Sequence, residues 1–379
     1  MKILHVITGL YTGGAETMLA KLIERMPASI GESAVISLTG GGPIAERIAA
    51  LGTPVTFLGM RRGRLSVFGF IRLVQAMRRL KPDLVQTWMY HANLTAGLAA
   101  KLAGRPPVIW GIRQSDLDPR ISKWSTRAVA RLGACFSRLL PVKIVCCAEN
   151  ARDVHAAMGY CRDRMIVIAN GFDLDKFRPN PDARFALCCE LGLPDSATLI
   201  AMPARFDPQK DHQSLLQAAK RLRVEMPRAH FILCGDGINS NNDTLTGWIS
   251  DLGLDGAIHL LGPRNDMPNI MAACDVVVSS SAFGEGFSNT LGEAMAAATP
   301  CVTTDVGDSR LIVGDTGRIV PPRDPQALAG ALGDVLRLSD SERHALGLRA
   351  RERIAEHYSL DAISAQYATL YRDTTRARV

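Results

Sequence analysis

The sequence predicts an α/β protein built from two doubly wound, Rossmann-like domains. Short apolar runs of strand length alternate with amphipathic stretches of helix length along the whole chain. The alternation restarts after a turn signal at Asn170-Gly171, and 379 residues are enough for two domains of ordinary size. In such sheets ligands bind beyond the carboxyl ends of the strands, so polar residues at those positions are the candidate site residues.

The first predicted domain covers residues 1–170. Its predicted strands are Lys2–Thr8, Ser33–Leu38, Val55–Leu58, Leu84–Thr87, Val108–Gly111 and Lys143–Cys147. Its predicted helices are Glu16–Arg25, Ile44–Leu51, Leu65–Leu80, Asn93–Ala103 and Ser122–Leu139. This order of elements is typical of a parallel sheet joined by crossover helices.

The second predicted domain covers residues 171–357. Its predicted strands are Thr198–Met202, His230–Cys234, Ile258–Leu261, Asp275–Ser279 and Cys301–Thr304. Its predicted helices are His212–Arg223, Leu245–Leu252, Pro268–Ala273, Thr290–Ala298 and Pro325–Leu336. Two further helices, Asp340–Glu356 and Leu360–Arg372, are predicted to close the chain.

The stretch from Ser279 to Val302 indicates the chemistry most directly. An apolar strand runs into a glycine-containing loop, and a helix follows from about Thr290. Free backbone N–H groups and the positive end of the helix dipole favour an anion there. Glu285 and Glu293 would repel a phosphate, so we expect them to accept hydrogen bonds from hydroxyls. Groups that donate hydrogen bonds to a phosphate, beside groups that accept hydrogen bonds from hydroxyls, suit a nucleotide-linked sugar.

Other strand ends carry further candidates. Arg205 and Lys210 lie five residues apart across a proline-containing turn, so both cations could converge on one pyrophosphate, although a surface role remains open. Gly235 begins a tight loop on the phosphate or nucleoside side. Asp173-Leu-Asp175 has the D-x-D pattern of some metal sites but follows a turn signal, and no metal site is predicted.

Three strand ends of the first domain carry candidates with structural alternatives. Gly13 and Gly14 precede a helix and let the backbone approach a ligand, or form only a tight turn. His91 follows a predicted strand, where it either reaches the cleft or has a structural role. Arg113 ends the next strand and would bind an anionic acceptor or form a structural ion pair.

Charge is distributed unevenly along the chain. Residues 1–170 carry 23 basic and 10 acidic residues, a net charge of +13, whereas the remainder carries −6. Residues 61–81 hold seven Lys or Arg and no acid, in the pattern of an amphipathic helix at a membrane interface, or of a crossover helix that packs on the sheet. A second basic run extends from Arg113 to Lys143. We expect an anionic membrane surface rather than nucleic acid as the partner of this half.

Localisation is predicted from hydropathy. No apolar run approaches the roughly 18 residues that a membrane span needs, and the first residues read as a strand rather than a signal peptide. We therefore expect a cytoplasmic protein that lies peripherally on the inner face of the cytoplasmic membrane.

Glu285 and Glu293, followed by Ala-Met-Ala and Pro300, resemble the E-x7-E signature of retaining glycosyltransferases of family 4. The Gly13-Gly14-Ala-Glu loop and the Arg205…Lys210-Asp element resemble motifs of the same family, in the same order. The resemblance implies the GT-B architecture, in which two Rossmann-like domains face each other across a cleft. It also implies a C-terminal helix, about residues 358–379, that crosses back to the first domain.

The resemblance implies roles for single residues. It places Glu285 beside the transferred sugar and Glu293 on the ribose hydroxyls, and it gives Arg264 a role at the base. His91 would bind the donor sugar, and Gly13 and Gly14 would reach the donor phosphates or the acceptor. The donor's sugar and phosphate would be surrounded by Gly286, Phe287, Ser288, Asn289 and Thr290.

The expected function is retaining, metal-independent hexosyl transfer without a cofactor. The donor would be a UDP- or GDP-linked sugar, and the acceptor a glycan or polyprenyl-linked intermediate of bacterial polysaccharide assembly. Arg205, Lys210 and helix N–H groups would stabilise the leaving diphosphate. Glu285 would position the sugar rather than attack it. The alternatives are a GT-B sugar-nucleotide epimerase and a non-catalytic nucleotide-sugar-binding protein.

Overall fold

The structure is a computed structural model that describes residues 1–61, 66–115, 117 and 124–376. It divides the chain into two compact units, one made of Met1–Gly171 with Leu360–Val379 and the other of Phe172–Ser359. Parts of the predicted basic loop Arg61–Arg64, of the run Arg113–Lys143 and of the helix Ser122–Leu139 lie outside the described residues.

The first unit contains a parallel sheet with helices between its strands. The strands are β1 (Lys2–Ile7), β2 (Glu32–Ser37), β3 (Val55–Phe57), β4 (Leu84–Trp88), β5 (Val108–Ile112), β6 (Lys143–Cys146) and β7 (Met165–Val167). The helices are α1 (Gly14–Arg25), α2 (Pro43–Ala50), α3 (Val67–Leu80), α4 (Tyr90–Leu102), α5 (Trp124–Phe136), α6 (Glu149–Ala157) and, from the chain's end, α15 (Leu360–Arg376). The strand order is β3-β2-β1-β4-β5-β6-β7.

The second unit repeats this plan. Its strands are β8 (Thr198–Pro203), β9 (Ala229–Cys234), β10 (Ile258–Leu260), β11 (Val276–Ser279), β12 (Cys301–Thr304) and β13 (Gly317–Val320). Its helices are α7 (Pro181–Leu191), α8 (His212–Glu225), α9 (Asp243–Asp251), α10 (Met267–Ala273), α11 (Asn289–Ala296), α12 (Ser309–Val313), α13 (Pro325–Leu336) and α14 (Asp340–His357). The strand order is β10-β9-β8-β11-β12-β13.

Each sheet is parallel and covered on both faces, which explains why its central strands are almost entirely apolar. In each sheet the order reverses beside the first strand of the unit, between β1 and β4 and between β8 and β11. Loops that leave neighbouring strands diverge at such a switch point and open a crevice at the carboxyl ends. The two switch points therefore locate the candidate sites.

The predicted elements agree with the structure apart from short or weakly patterned ones. Elements β7, β13 and α12 were not predicted, because they have only three to five residues each. Helices α6 and α7 were not predicted either, and in α7 the apolar residues do not repeat at helical spacing. Periodicity needs more than one turn of helix or two strand repeats to be recognised.

Among the helices that the structure describes, none combines the length and the apolar character needed to span a bilayer.

Candidate functional site

The switch point of the second unit brings the loops after β8 and β11 together. The hydroxyl of Ser280 donates a hydrogen bond of 2.8 Å to the carbonyl of Lys210. The backbone N–H of Ala282 donates to the carbonyl of Gln209, also at 2.8 Å. The hydroxyl of Thr290 donates to the carbonyl of Pro203 at 3.1 Å. These bonds tie the β8 loop to the loop that carries Glu285.

Lys210 and Glu285 form an ion pair within this crevice. The hydroxyl of Ser281 donates a hydrogen bond of 2.6 Å to the same carboxylate oxygen, Oε1. The side chains of Lys210 and Glu285 are only 17% and 9% exposed. Water screens a buried pair weakly, so this contact fixes the carboxylate of Glu285 beside the side-chain nitrogen of Lys210.

Arg205 lies on the same loop but at its solvent side, with a side chain that is 55% exposed. Its guanidinium donates to Asp207 at 3.0 Å and to Gln209 at 3.2 Å. Burial alone would raise the pKa of Asp207, but the hydrogen bonds from the Gln209 N–H and from Arg205 outweigh burial and lower it. Asp207 therefore stays ionised and holds Arg205 near the turn that carries Lys210.

The loop 280–288 ends at the N-terminus of α11. Ser288 is the N-cap residue and makes no side-chain capping bond. The first N–H groups of a helix have no partner within the helix itself and form a favourable site for an anion. Asn289 and Thr290 begin the helix, and Glu293 follows in its second turn, half-buried. An anion bound at this end would be favoured by the helix dipole.

The backbone of this loop is held by a neighbouring glycine. Gly307 has φ +61°, and a Cβ atom there would lie 2.2 Å from the carbonyl oxygen of Glu285. The N–H of Asp308 donates a hydrogen bond of 3.0 Å to the carbonyl of Gly286. Because position 307 has no side chain, the backbone there can approach the loop 280–288 closely and hold Glu285 in place.

Phe287 differs from the expectation that its side chain surrounds the sugar. Its ring stacks on Phe172 with centroids 5.9 Å apart and meets Tyr358 edge-on at 5.1 Å. The ring is buried and belongs to the packing of the second unit. Only the backbone of Phe287 remains a candidate for ligand contact.

Gly235 and Arg264 lie at the ends of β9 and β10. Gly235 has φ +145°, and a Cβ atom there would lie 2.3 Å from the carbonyl oxygen of Ala204, so glycine is required for the β8 and β9 loops to approach. Arg264 binds Glu190 at 2.6 Å and Asp266 at 2.7 Å, and these acids raise its pKa further. Four of the five N–H groups of Arg264 are thus directed to protein carboxylates, and its role at a nucleoside base stays a prediction.

The D-x-D pattern at Asp173 is part of a turn. A carboxylate oxygen of Asp173 accepts hydrogen bonds of 3.0 Å from the N–H groups of Asp175 and Lys176. Such an Asx turn explains the acid at this position without a metal.

In the first unit, Gly13 and Gly14 form the start of α1. Gly13 is the extended N-cap residue, and a Cβ atom there would meet the carboxylate of Glu16 at 2.4 Å. In the Gly-Gly-Ala-Glu loop, the carboxylate of Glu16 therefore packs against the backbone of Gly13. His91 lies in the first turn of α4, where it lines an apolar cavity of about 350 Å³.

Arg113 lies in a structural network within the first unit. Its guanidinium donates to Asn170 at 2.9 Å and to the hydroxyl of Tyr367 at 2.7 Å, and it stacks over Trp88 at 4.7 Å. Arg113 therefore anchors α15 through hydrogen bonds and a cation–π contact rather than through an ion pair, and its role in binding an anionic acceptor stays a prediction.

The structure thus gathers Arg205, Lys210 and Glu285 around two tied loops. Of the predicted residues of the first unit, it places Gly13, Gly14 and His91 at that unit's switch point and Arg113 at the end of β5. Ser281 was not predicted as a partner of Glu285. Its signal was available, because Ser281 ends a run of three serines that begins at the carboxyl end of β11.

Two family models match the chain. The description "Glycosyltransferase Family 4" matches residues 12–176, and "Glycosyl transferases group 1" matches residues 197–337. Together they cover most of both units.

Individual proteins are also similar. A UDP-Gal:alpha-D-GlcNAc-diphosphoundecaprenol alpha-1,3-galactosyltransferase of Escherichia coli is 26% identical over 308 residues, 80% of this chain and 78% of that protein. A D-inositol 3-phosphate glycosyltransferase of Corynebacterium glutamicum (strain R) is 33% identical over 220 residues, 56% of this chain and about half, 52%, of that protein.

The crystal structure of Anabaena Alr3699/HepE in complex with UDP has a TM-score of 0.86, with 22% identity over 98% of this chain and 100% of that one. At this identity the likeness shows the fold. The two parallel sheets, the ordered motifs and both family matches lead to one conclusion: the chain belongs to the family 4 glycosyltransferases and has the α/β GT-B fold.

Proposed function

We propose that this glycosyltransferase transfers a hexose, with retention, from a UDP-linked sugar to a polyprenyl-diphosphate-linked acceptor of bacterial polysaccharide assembly. The observation that carries the proposal is the buried Lys210–Glu285 pair with Ser281 at the switch point of the second unit. The choice of donor and acceptor is supported by the name of the Escherichia coli relative.

The reaction breaks the bond between the anomeric carbon and a diphosphate oxygen. Positive charge develops on the sugar, and negative charge develops on the leaving diphosphate. Lys210, Arg205 and the first N–H groups of α11 stabilise the diphosphate, and removal of one such donor costs about 10²- to 10³-fold in kcat in comparable sites. Among the described residues, no group of three or more His, Cys, Asp or Glu is suited to holding a metal ion. In this proposal Lys210 and Arg205 supply the positive charge.

Glu285 serves as a positioning carboxylate. Without donor, Lys210 neutralises it and Ser281 orients it. When the donor binds, its diphosphate also interacts with the charge of Lys210. Glu285 then accepts a hydrogen bond from a hydroxyl group of the sugar and faces the developing positive charge. The incoming acceptor hydroxyl forms the new bond on the same face and passes its proton to the leaving diphosphate oxygen, which preserves the anomeric configuration.

We also propose that the first unit rests on an anionic membrane surface on the cytoplasmic side. Its sequence is strongly basic, and Val67 and Phe68 at the start of α3 are exposed. Exposed apolar residues beside cations are typical of interfacial helices.

The deciding experiment offers the purified protein radiolabelled UDP- and GDP-sugars, each with and without a polyprenyl-diphosphate-linked acceptor. We expect label in the lipid fraction only with acceptor and with a UDP-sugar. An epimerised nucleotide sugar without acceptor would support an epimerase instead. Binding of the donor with no turnover under any condition would support a sugar-nucleotide sensor.

A further inference from the structure

The first unit contains an apolar cavity that the transfer chemistry does not use. It has a volume of about 350 Å³ and opens at the carboxyl ends of β1, β2 and β4, beside the switch point of that sheet. Its size is at the lower end of the roughly 300–1,000 Å³ of ligand pockets. It therefore suits one slender apolar group rather than a sugar.

Two neighbouring helices present matched apolar faces to this cavity. His91, Leu94, Thr95 and Leu98 recur at helical spacing on α4. Ser125, Val129, Leu132 and Phe136 do the same on α5. Side chains three and four residues apart share one face of a helix, so the cavity is a groove between two helices, closed on a third side by Phe70 of α3.

The charges around the groove indicate what the apolar group is attached to. Helices α3, α4 and α5 contain six Lys or Arg and no acidic residue. Arg61 itself lines the groove. A cation at the mouth of an apolar groove is complementary to a hydrocarbon chain that ends in an anionic headgroup.

We propose that this groove binds the first isoprenoid segment of the acceptor lipid, with its diphosphate at the basic rim beside His91. The proposal rests on the function proposed above, because it names where the lipid part of that acceptor binds. It assigns to α4 and α5 a selectivity for acceptors that carry a hydrocarbon chain.

The test measures binding without turnover. The probes are a fluorescently labelled farnesyl diphosphate and the same dye on diphosphate alone. Leu98→Trp fills the groove from a position that is 41% exposed, and Leu102→Trp is its control, one turn further along α4, 56% exposed and outside the groove. Both substitutions start from an exposed leucine, so both proteins should fold.

We expect Leu98→Trp to weaken farnesyl diphosphate binding by about tenfold or more, which corresponds to ~1.4 kcal/mol, and to leave the chain-free probe unchanged. Leu102→Trp should bind both probes like the wild type. Leu132→Trp, from the α5 side, should reproduce the effect of Leu98→Trp. Equal affinity of the wild type for both probes would overturn the proposal.

Other occupants of the groove give different results. If both leucine variants lose affinity equally, the exposed surface binds lipid and the groove does not. If Leu98→Trp changes only the oligomeric state in sedimentation, a second copy of the chain occupies it. A failure of sugar transfer would leave the difference between the two probes intact, so the two proposals can fail separately.

Discussion

At the scale of single residues, the Lys210–Glu285 pair couples catalysis to stability. Replacing Lys210 by Met removes a cation from the proposed diphosphate site and leaves the carboxylate of Glu285 buried without its partner. We expect kcat to fall by about 10²- to 10³-fold and the free energy of unfolding to fall by about 1–3 kcal/mol. Steady-state transfer assays and urea unfolding measure the two effects.

The double variant Lys210→Met with Glu285→Gln separates these effects. Removing both charges restores part of the stability, because no unpaired charge remains buried, but it restores none of the activity. If the double variant recovered activity as well, neither charge would take part in transfer.

His5 makes the stability of the first unit depend on pH. Complete burial lowers its pKa to about 3, far below the value of about 6.5 in the unfolded chain. Below pH 6.5 His5 binds a proton in the unfolded state but not in the folded state. The free energy of unfolding therefore falls as the pH falls from 6.5 towards 3. At pH 5 we expect this to cost about 2 kcal/mol.

Urea unfolding followed by tryptophan fluorescence measures this loss, because three of the four tryptophans, Trp88, Trp110 and Trp124, belong to the first unit. The variant His5→Leu should unfold with a weaker dependence on pH between 6.5 and 5. The same change at the exposed His344 is the surface control for the loss of one imidazole. An unchanged slope in His5→Leu would mean that other groups control the acid response.

At the scale of elements, Gly307 controls the loop that carries Glu285. The substitution Gly307→Ala places a methyl group against the carbonyl of Glu285 and must displace the loop. A displacement of about 1 Å at a catalytic group can cost about 10²-fold, so we expect kcat to fall by roughly 10- to 10²-fold.

Gly192→Ala is the matched control for this substitution. Its φ of +65° is similar to that of Gly307, but a Cβ atom there meets nothing within 4 Å. It should cost only the backbone strain of about 1–2 kcal/mol and leave kcat unchanged. A fall in kcat of equal size in both variants would attribute the effect to lost stability rather than to the loop.

Substitution of Arg113 tests whether this residue anchors helix α15 or binds the acceptor. The variant Arg113→Met loses the bonds to Asn170 and Tyr367, and we expect faster amide hydrogen exchange in α15 and a lower free energy of unfolding. Tyr367→Phe should show the same loosening to a smaller extent, about 1 kcal/mol. A raised KM for the acceptor with unchanged exchange would restore the binding role that the sequence predicts.

At the scale of the whole molecule, the uneven charge predicts reversible attachment to anionic bilayers. Vesicles containing phosphatidylglycerol should bind the protein at 0.1 M salt and release it at higher salt, where the Debye length falls below about 10 Å. Phe68→Ser should weaken this binding, because Phe68 is 81% exposed beside the basic residues of α3. Val224→Ser, equally exposed at 81% on α8, should have no effect. Binding that is indifferent to salt and to position 68 would contradict membrane attachment through the first unit.

Much of the architecture could be read from local pattern. Apolar runs of strand length are buried on both faces of parallel sheets, so the central strands were identified to within one or two residues. The candidate residues Lys210 and Glu285 follow strands in the sequence, and the fold rule places them at the carboxyl edge. The order of the motifs along the chain indicated the family.

Partners could not be predicted in this way. Arg113 reaches Tyr367 across 254 residues of sequence, and Arg264 reaches Glu190 across 74. Local sequence patterns cannot distinguish their roles, since an arginine at a strand end is equally suited to a ligand or to a distant side chain of the same protein. Only the folded chain shows that both are already engaged.

The sequence by itself therefore determined the alternation of strands and helices, the family and the residue types at the strand ends, because these depend on short-range periodicity and spacing. The tertiary structure alone decided that Lys210 and Ser281 both meet Glu285, since β8 pairs with β11 although β9 and β10 lie between them in the chain. Neighbours in a doubly wound sheet are chosen by crossover connections and by burial of both sheet faces, and these are properties of the whole unit.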